Sequence, residues 1–227
     1  MLGTRLRLKD RGIFIRIASK SDYGRVLKFL QEHFYPFDQS SHGRVSNRQS
    51  REDEENEMKS IDSGASVLAF TDDDRRELIG VSLARKFREE ECREGLKMLR
   101  TLSGQRGYPN DLDGVIFTEE MKLRSQICRR YNIEEALYLA LTCVRRDYQG
   151  YSLAKLFMQK RLQCGRELGF KVAFGLAVTP GGIKLTEAFN FEDIYVLKFV
   201  NYCDYRGLSV YNYFPPEAVA KIVVKQI

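Results

Sequence analysis

The stretch Ala136-Leu-Tyr-Leu-Ala-Leu-Thr-Cys-Val144 runs without a break into Arg145-Arg-Asp-Tyr-Gln-Gly-Tyr-Ser-Leu-Ala154, and this junction decides how the chain is read. A nearly continuous apolar run is what a strand buried on both faces carries. Past the turn, Leu156, Phe157, Lys160, Arg161, Cys164 and Leu168 recur at helical spacing, and Gly169 supplies a C-terminal stop. The unit is strand, small-residue turn, amphipathic helix. Such a unit makes an anion site, because the first-turn N–H groups of a helix have no intrahelical partner and the helix dipole is positive there. The turn itself, Gln149, Gly150, Tyr151, Ser152, Leu153 and Ala154, matches neither G-x-x-x-x-G-K-[ST] nor G-x-G-x-x-G. A diphosphate is its expected guest.

Outward from this unit, strands and helices alternate irregularly. Ile13 to Ile17 reads as a first strand, and Ser19 stands three residues before Asp22 in the manner of a capping box, with Tyr23, Val26, Leu27, Leu30 and Phe34 following at helical spacing. Pro36 stops that helix, and Phe37 to Lys59 is polar, read as loop with some helix. Ser66 to Phe70 and Leu78 to Phe87 read as a hairpin across the charged turn Thr71 to Glu77. Two helices are expected between Glu89 and Arg130, separated by the stretch from Gly104 to Asn110. Lys171 to Val178 is the next apolar strand, a short helix reaches Phe189, and Tyr195 to Tyr202 and Val219 to Lys225 read as further strands.

At 227 residues and 43% hydrophobic, the chain can bury a substantial core, and one domain over residues 1–227 is the expectation. No run approaches a membrane-spanning helix and the N-terminus lacks a signal-peptide pattern, so a cytoplasmic location away from membranes is expected, with a monomer as the default. Five scattered cysteines without a C-x-x-C pair, and two histidines, favour free thiols over a structural metal. The formal charge of +6 is spread among acidic residues, as between Arg48 and Lys59, which speaks for a solvated surface and against nucleic-acid binding.

The turn resembles the acetyl-coenzyme A signature of the GNAT superfamily, Q/R-x-x-G-x-G/A, with Gln149 first, Ser152 in the place usually held by Gly, and Ala154 last. The stretch from Ile15 to Pro36, Ser66 to Phe70 with Leu78 to Leu83, Arg130 to Val172, and Asn190 to Pro216 are similar, in order, to insect arylalkylamine N-acetyltransferases. The resemblance implies an α+β (mixed α/β) fold with a central, mostly antiparallel twisted sheet flanked by helices. That sheet is splayed between the fourth and fifth strands, here Ala136 to Val144 and Lys171 to Val178. It implies acetyl-CoA as cofactor, its pantetheine arm on the backbone of Leu141, Thr142 and Cys143 and its diphosphate on Gln149 to Ala154, and a small primary amine, arylalkylamine-like, as acceptor. The positive charge near the turn then has a use that needs no nucleic acid.

Acetyl transfer to an amine needs a base to free the nitrogen lone pair and donors for the developing oxyanion. The base of the resembled family is a Glu in a motif like Phe-x-x-x-Glu-Pro-Leu. This chain reads Phe34-Tyr-Pro-Phe-Asp38-Gln-Ser40, which puts Asp38 in that place, shorter by one methylene and able to act through a water. The nearest candidate for the oxyanion N–H is Cys143, whose thiol reads as buried and not acylated. Glu217 follows the paired prolines where the family often has His, and it reads as a surface residue. Thr186 is available near the leaving thiol but no acid is assigned. His33 reads as structural and His42 as a loop residue. The departures at Asp38, Ser152, Gly182 and Glu217 leave open a pseudoenzyme that binds acetyl-CoA without turnover, and a basic nucleic-acid-binding module is the third reading.

Overall fold

The computed structural model describes residues 3–8, 11–37, 51–104 and 112–227. Among them an eight-stranded sheet runs in the order β1 (Thr4–Leu8), β2 (Arg11–Ile17), β3 (Val67–Thr71), β4 (Leu78–Phe87), β5 (Ala136–Val144), β6 (Val172–Ala177), β8 (Val219–Gln226), β7 (Glu192–Lys198). Every neighbouring pair is antiparallel except β5 with β6. A parallel pair needs a crossover, and here it is the helix α6 (Leu153–Glu167).

The helices fall on both faces. Alternate residues of β4, Val81, Leu83 and Phe87, point to one face, where α1 (Tyr23–His33) covers the first two and α4 (Asp113–Ser125) the third. Phe29 and Leu30 of α1 pack there against Leu68 and Phe70, and Phe117 and Met121 of α4 against Phe174 and Ile222. α2 (Arg51–Ile61) and α3 (Glu89–Ser103) lie on this side too, joined to β4 and α4 respectively. On the opposite face α6 sets Phe157, Met158 and Leu162 against Ile79, Leu137 and Leu139, with α7 (Pro180–Ala188) beside it. α5 (Ile127–Tyr131) leads back into β5.

The capping box is present. Asp22 accepts from Ser19 N at 2.9 Å, and its carboxylate is also gripped by Arg16 at 2.5 and 2.7 Å. Burial pushes this carboxyl up, but the Arg16 and Ser19 hydrogen bonds and the Arg16 charge outweigh it and hold it at about 2. All five cysteines are free, and Cys92, Cys143 and Cys164 are buried.

The expected elements stand with differences of detail. The edge strand β1 adds to the strands read from sequence, so the pair expected to splay, Ala136 to Val144 and Lys171 to Val178, counts as fifth and sixth in chain order. The strand expected at Tyr195 to Tyr202 runs Glu192–Lys198 and turns into a 3-10 segment at Phe199–Asn201, because Phe199 leaves the sheet to stack on Phe214 at 4.1 Å between centroids. The helix allowed for in the polar stretch before Lys59 is present as α2, and residues 38–50 lie outside the described residues.

Candidate functional site

β5 and β6 share three rungs only, Leu137 with Ala173, Tyr138 with Phe174 and Leu139 with Gly175. Gly175 serves the last rung. A Cβ there would lie 3.3 Å from Leu139 O, so the absence of a side chain lets the strands close up just before they part. The parting coincides with an extra residue in β5. Leu83 stands opposite Leu141 but Ala84 stands opposite Leu139, which leaves Ala140 as a bulge. A one-residue bulge bends a strand and exchanges its faces. The exchange is visible in the packing: Ala136 and Tyr138 join α4 before the bulge, and odd-numbered Cys143 joins α1 on that same face after it.

At the other end of β5 the turn is shaped by two residues with positive φ, Gly150 at 79° and Ser152 at 61°. The left-handed conformation at position 152 explains why Gly usually stands there, and Ser adopts it at a cost of about 1 kcal/mol. Helical bonding starts when Lys155 N and Leu156 N donate to Ser152 O at 3.1 and 3.2 Å. The amides of Leu153 and Ala154 lie ahead of those bonds and face the positive end of the helix dipole. Lys155, in the first turn of α6, and Lys184 of α7 line the same cavity. The approach to the turn is stiffened by Arg145, which pairs with Asp147 at 2.8 Å and Glu77 at 3.1 Å and lies over the ring of buried Tyr148 at 5.0 Å.

A cavity of about 890 Å³ runs from this mouth between the parted strands to the far face of the sheet. Its walls bring together Leu141, Thr142, Gln149, Gly150, Ser152, Leu153 and Ala154, seven of the residues singled out from the sequence. Cys143 turns its thiol away, donating to His33 O at 3.3 Å, and burial pushes that thiol up to about 12. It stands opposite Val81 in the regular ladder, so the irregular backbone nearest the parting belongs to Ala140 and not to Cys143. Tyr151 places its ring 6.0 Å from that of Tyr148. His33 packs on Phe29 at 4.7 Å, in the structural role read for it. Thr186 lines the cavity but donates to Ile183 O at 2.9 Å, and the N–H of Gly182 caps α7 through Thr179 Oγ1 at 3.1 Å. Glu217 is exposed. Asp38 and His42 lie outside the described residues.

The far end of the cavity was not read from the sequence. Glu57, 3% exposed, accepts a hydrogen bond from the Tyr35 hydroxyl, and both line the cavity with Arg85 and Glu119. Glu119 is held by Lys122, by Arg85 at 3.7 Å and by the Cys92 thiol at 2.9 Å. Burial would raise its carboxyl, but these two cations keep it low. The Lys122 ammonium, itself buried, lies 4.5 Å from the centre of the Tyr138 ring. Glu57 escaped notice because it sits in the run Glu52-Asp-Glu-Glu-Asn-Glu57, which looks like solvated surface. The one local hint is Ile61, four residues on, which is core.

No protein-family model matches the chain, and no curated protein matches it in sequence. Solved structures do match. A mosquito arylalkylamine N-acetyltransferase like 5b superposes with a TM-score of 0.84 at 23% identity, covering 95% of this chain and 100% of that one. The chain has the GNAT fold. A Drosophila melanogaster polyamine N-acetyltransferase, described as forming N-acetylagmatine, gives 0.84 at 18% identity over 95% and 100% of the two chains. Arabidopsis thaliana NAA60, solved in complex with acetyl-CoA, gives 0.54 at 14% over 95% and 99%. In GNAT terms the parted strands β5 and β6 form the wedge of the fold, and the turn from Gln149 to Ala154 sits at its mouth.

Proposed function

We propose that this protein is an acetyl-CoA-dependent N-acetyltransferase acting on a small primary amine, arylalkylamine-like, as a cytoplasmic monomer of one domain. The observation that carries the reading is the through-cavity between β5 and β6 with the bare N-terminus of α6 at its mouth. The residues present fit the cofactor: backbone amides of Leu153 and Ala154 with Lys155 and Lys184 suit a diphosphate, and the unzipped edge of β5 at Leu141 and Thr142 suits an amide-bearing arm. Bound there, acetyl-CoA supplies an activated acetyl thioester.

The chain's own residues would then do three things. Glu57 with Tyr35 holds the amine, as its ammonium, at the far end of the cavity. Asp38, directly or through a water, takes the proton that frees the nitrogen lone pair. Backbone N–H at the Ala140 bulge would donate to the acyl oxygen of a thioester held there and stabilise the charge it gains as the amine displaces the thiolate, which would be protonated by solvent.

Calorimetry with acetyl-CoA and a panel of arylalkylamines and polyamines, read by thiol release, tests this. Low-micromolar binding and turnover of at least one amine are expected, and Asp38→Asn should lower kcat/KM about a hundredfold with acetyl-CoA affinity unchanged. Absence of acetyl-CoA binding would overturn the reading. Binding with silence across the panel would leave a protein that keeps the cofactor and has lost turnover.

A further inference from the structure

Arg161 is a buried cation without a buried anion. It lies on α6, 2% exposed, on the wall of the cavity, and among the described residues no carboxylate is within ion-pair distance of it. Its Nη1 donates to Leu83 O at 3.2 Å and to Leu141 O at 3.5 Å, its Nη2 contacts Met158 Sδ at 3.9 Å, and its Nε has no partner among the described residues. Burial pulls the guanidinium down to about 9. Burying such a charge is costly, and a surface helix of this kind would ordinarily carry Leu or Met at that position.

The place it occupies is specific. Eight residues of helix from Leu153 advance about 12 Å, and three residues of strand back from Val144 retreat about 10 Å. The guanidinium is thereby level with Leu141. Leu83 and Leu141 face each other across the last regular rung before the Ala140 bulge. One side chain therefore ties together the two strands at the point where β5 changes face and leaves β6.

We propose that Arg161 is a positioning residue for acyl transfer, a fixed cation clamped behind the Ala140 bulge that sets its backbone toward the acyl oxygen and stabilises the negative charge gathering there. This rests on the acetyl-transfer reading above. The free Nε and the positive charge give the guanidinium a task that a packing residue lacks: it favours the state in which the carbonyl π pair has moved to oxygen over the state in which it has not.

The test compares wild type, Arg161→Lys and Arg161→Met by acetyl-CoA calorimetry, steady-state kinetics with an amine the wild type accepts, and isotope-edited infrared spectroscopy of the bound thioester carbonyl. The expected result is a kcat lowered about a hundredfold in Arg161→Met and about tenfold in Arg161→Lys, with acetyl-CoA affinity within threefold of wild type. The carbonyl band should shift to higher frequency in the order wild type, Lys, Met. An unchanged band and unchanged kcat in folded variants overturn the proposal alone. Should Arg161→Met fail to fold, the band and kcat of Arg161→Lys decide by the same criteria. A wild type that does not bind acetyl-CoA overturns the acetyl-transfer reading, and this proposal with it.

Discussion

The two ends of the cavity are built on opposite principles. At the mouth by α6 the groups are backbone: amides of Leu153 and Ala154 that precede the first helical bonds after a left-handed turn. At the far end they are side chains already engaged with one another, Glu57 with Tyr35, and Glu119 with Lys122, Arg85 and Cys92. A backbone site tolerates sequence change because every residue brings an N–H. A side-chain site fails when one partner is removed, because the other is left charged and dry. On the proposed function, the difference means that donor recognition would rest on chain geometry and acceptor recognition on particular residues.

The largest effect should come from breaking the far end. Lys122→Met leaves buried Glu119 with the longer Arg85 ion pair and the neutral Cys92 thiol as its partners, and chemical denaturation should show a loss of about 3 kcal/mol. A loss below 1 kcal/mol would mean that Arg85 closes in and the end is more adaptable than its packing suggests. Next comes the mouth. Ala154→Asp sets a carboxylate where an anion is to bind, so acetyl-CoA affinity should fall about thirtyfold, or about 2 kcal/mol, while stability holds or rises because a carboxylate suits a helix N-terminus. Opposite signs in ligand affinity and stability would be the mark of a backbone site.

Acid should loosen the start of α1. Asp22 is held at about 2 against an ordinary 3.8, so its contribution is complete above pH 4 and is lost as pH falls through about 2. That displacement is worth about 2 kcal/mol. The stability of Asp22→Asn followed from pH 6 to pH 2 should fall less steeply than that of wild type by this amount, and parallel curves would refute it. The smallest effect concerns the turn itself: Ser152→Gly relieves the left-handed strain but loosens the unfolded chain, for a net gain of about 0.5 kcal/mol and a Tm about 1–2 °C higher.

The donor half of this site was legible because its signals are local. A buried strand, a turn of small residues and an amphipathic helix follow one another within about thirty-five residues of chain, and backbone chemistry needs nothing more. For the acceptor half of the proposed reaction the sequence offered Asp38 alone, through the family resemblance. Glu57, Arg85, Glu119 and Tyr138 come from four separate elements, and each taken alone reads as a surface charge or a core aromatic. The bulge at Ala140 was equally silent, since a strand that is apolar on both faces shows no alternation for an extra residue to disturb. Arg161 fell on the pattern of α6 as one more residue at helical spacing, with no sign that it points inward.

Sequence alone determined the order of most elements, the crossover from β5 through α6 to β6, and the turn where an anion can sit, because hydrophobic period and turn chemistry act over a few neighbouring residues. Only the tertiary structure decided where the parallel strands separate, which carboxylates share the far end of the cavity, and that a lone guanidinium is sealed behind the bulge. Those outcomes depend on which side chains meet across the sheet. Such meetings are set by register and packing between segments far apart in the chain, where no local pattern reaches.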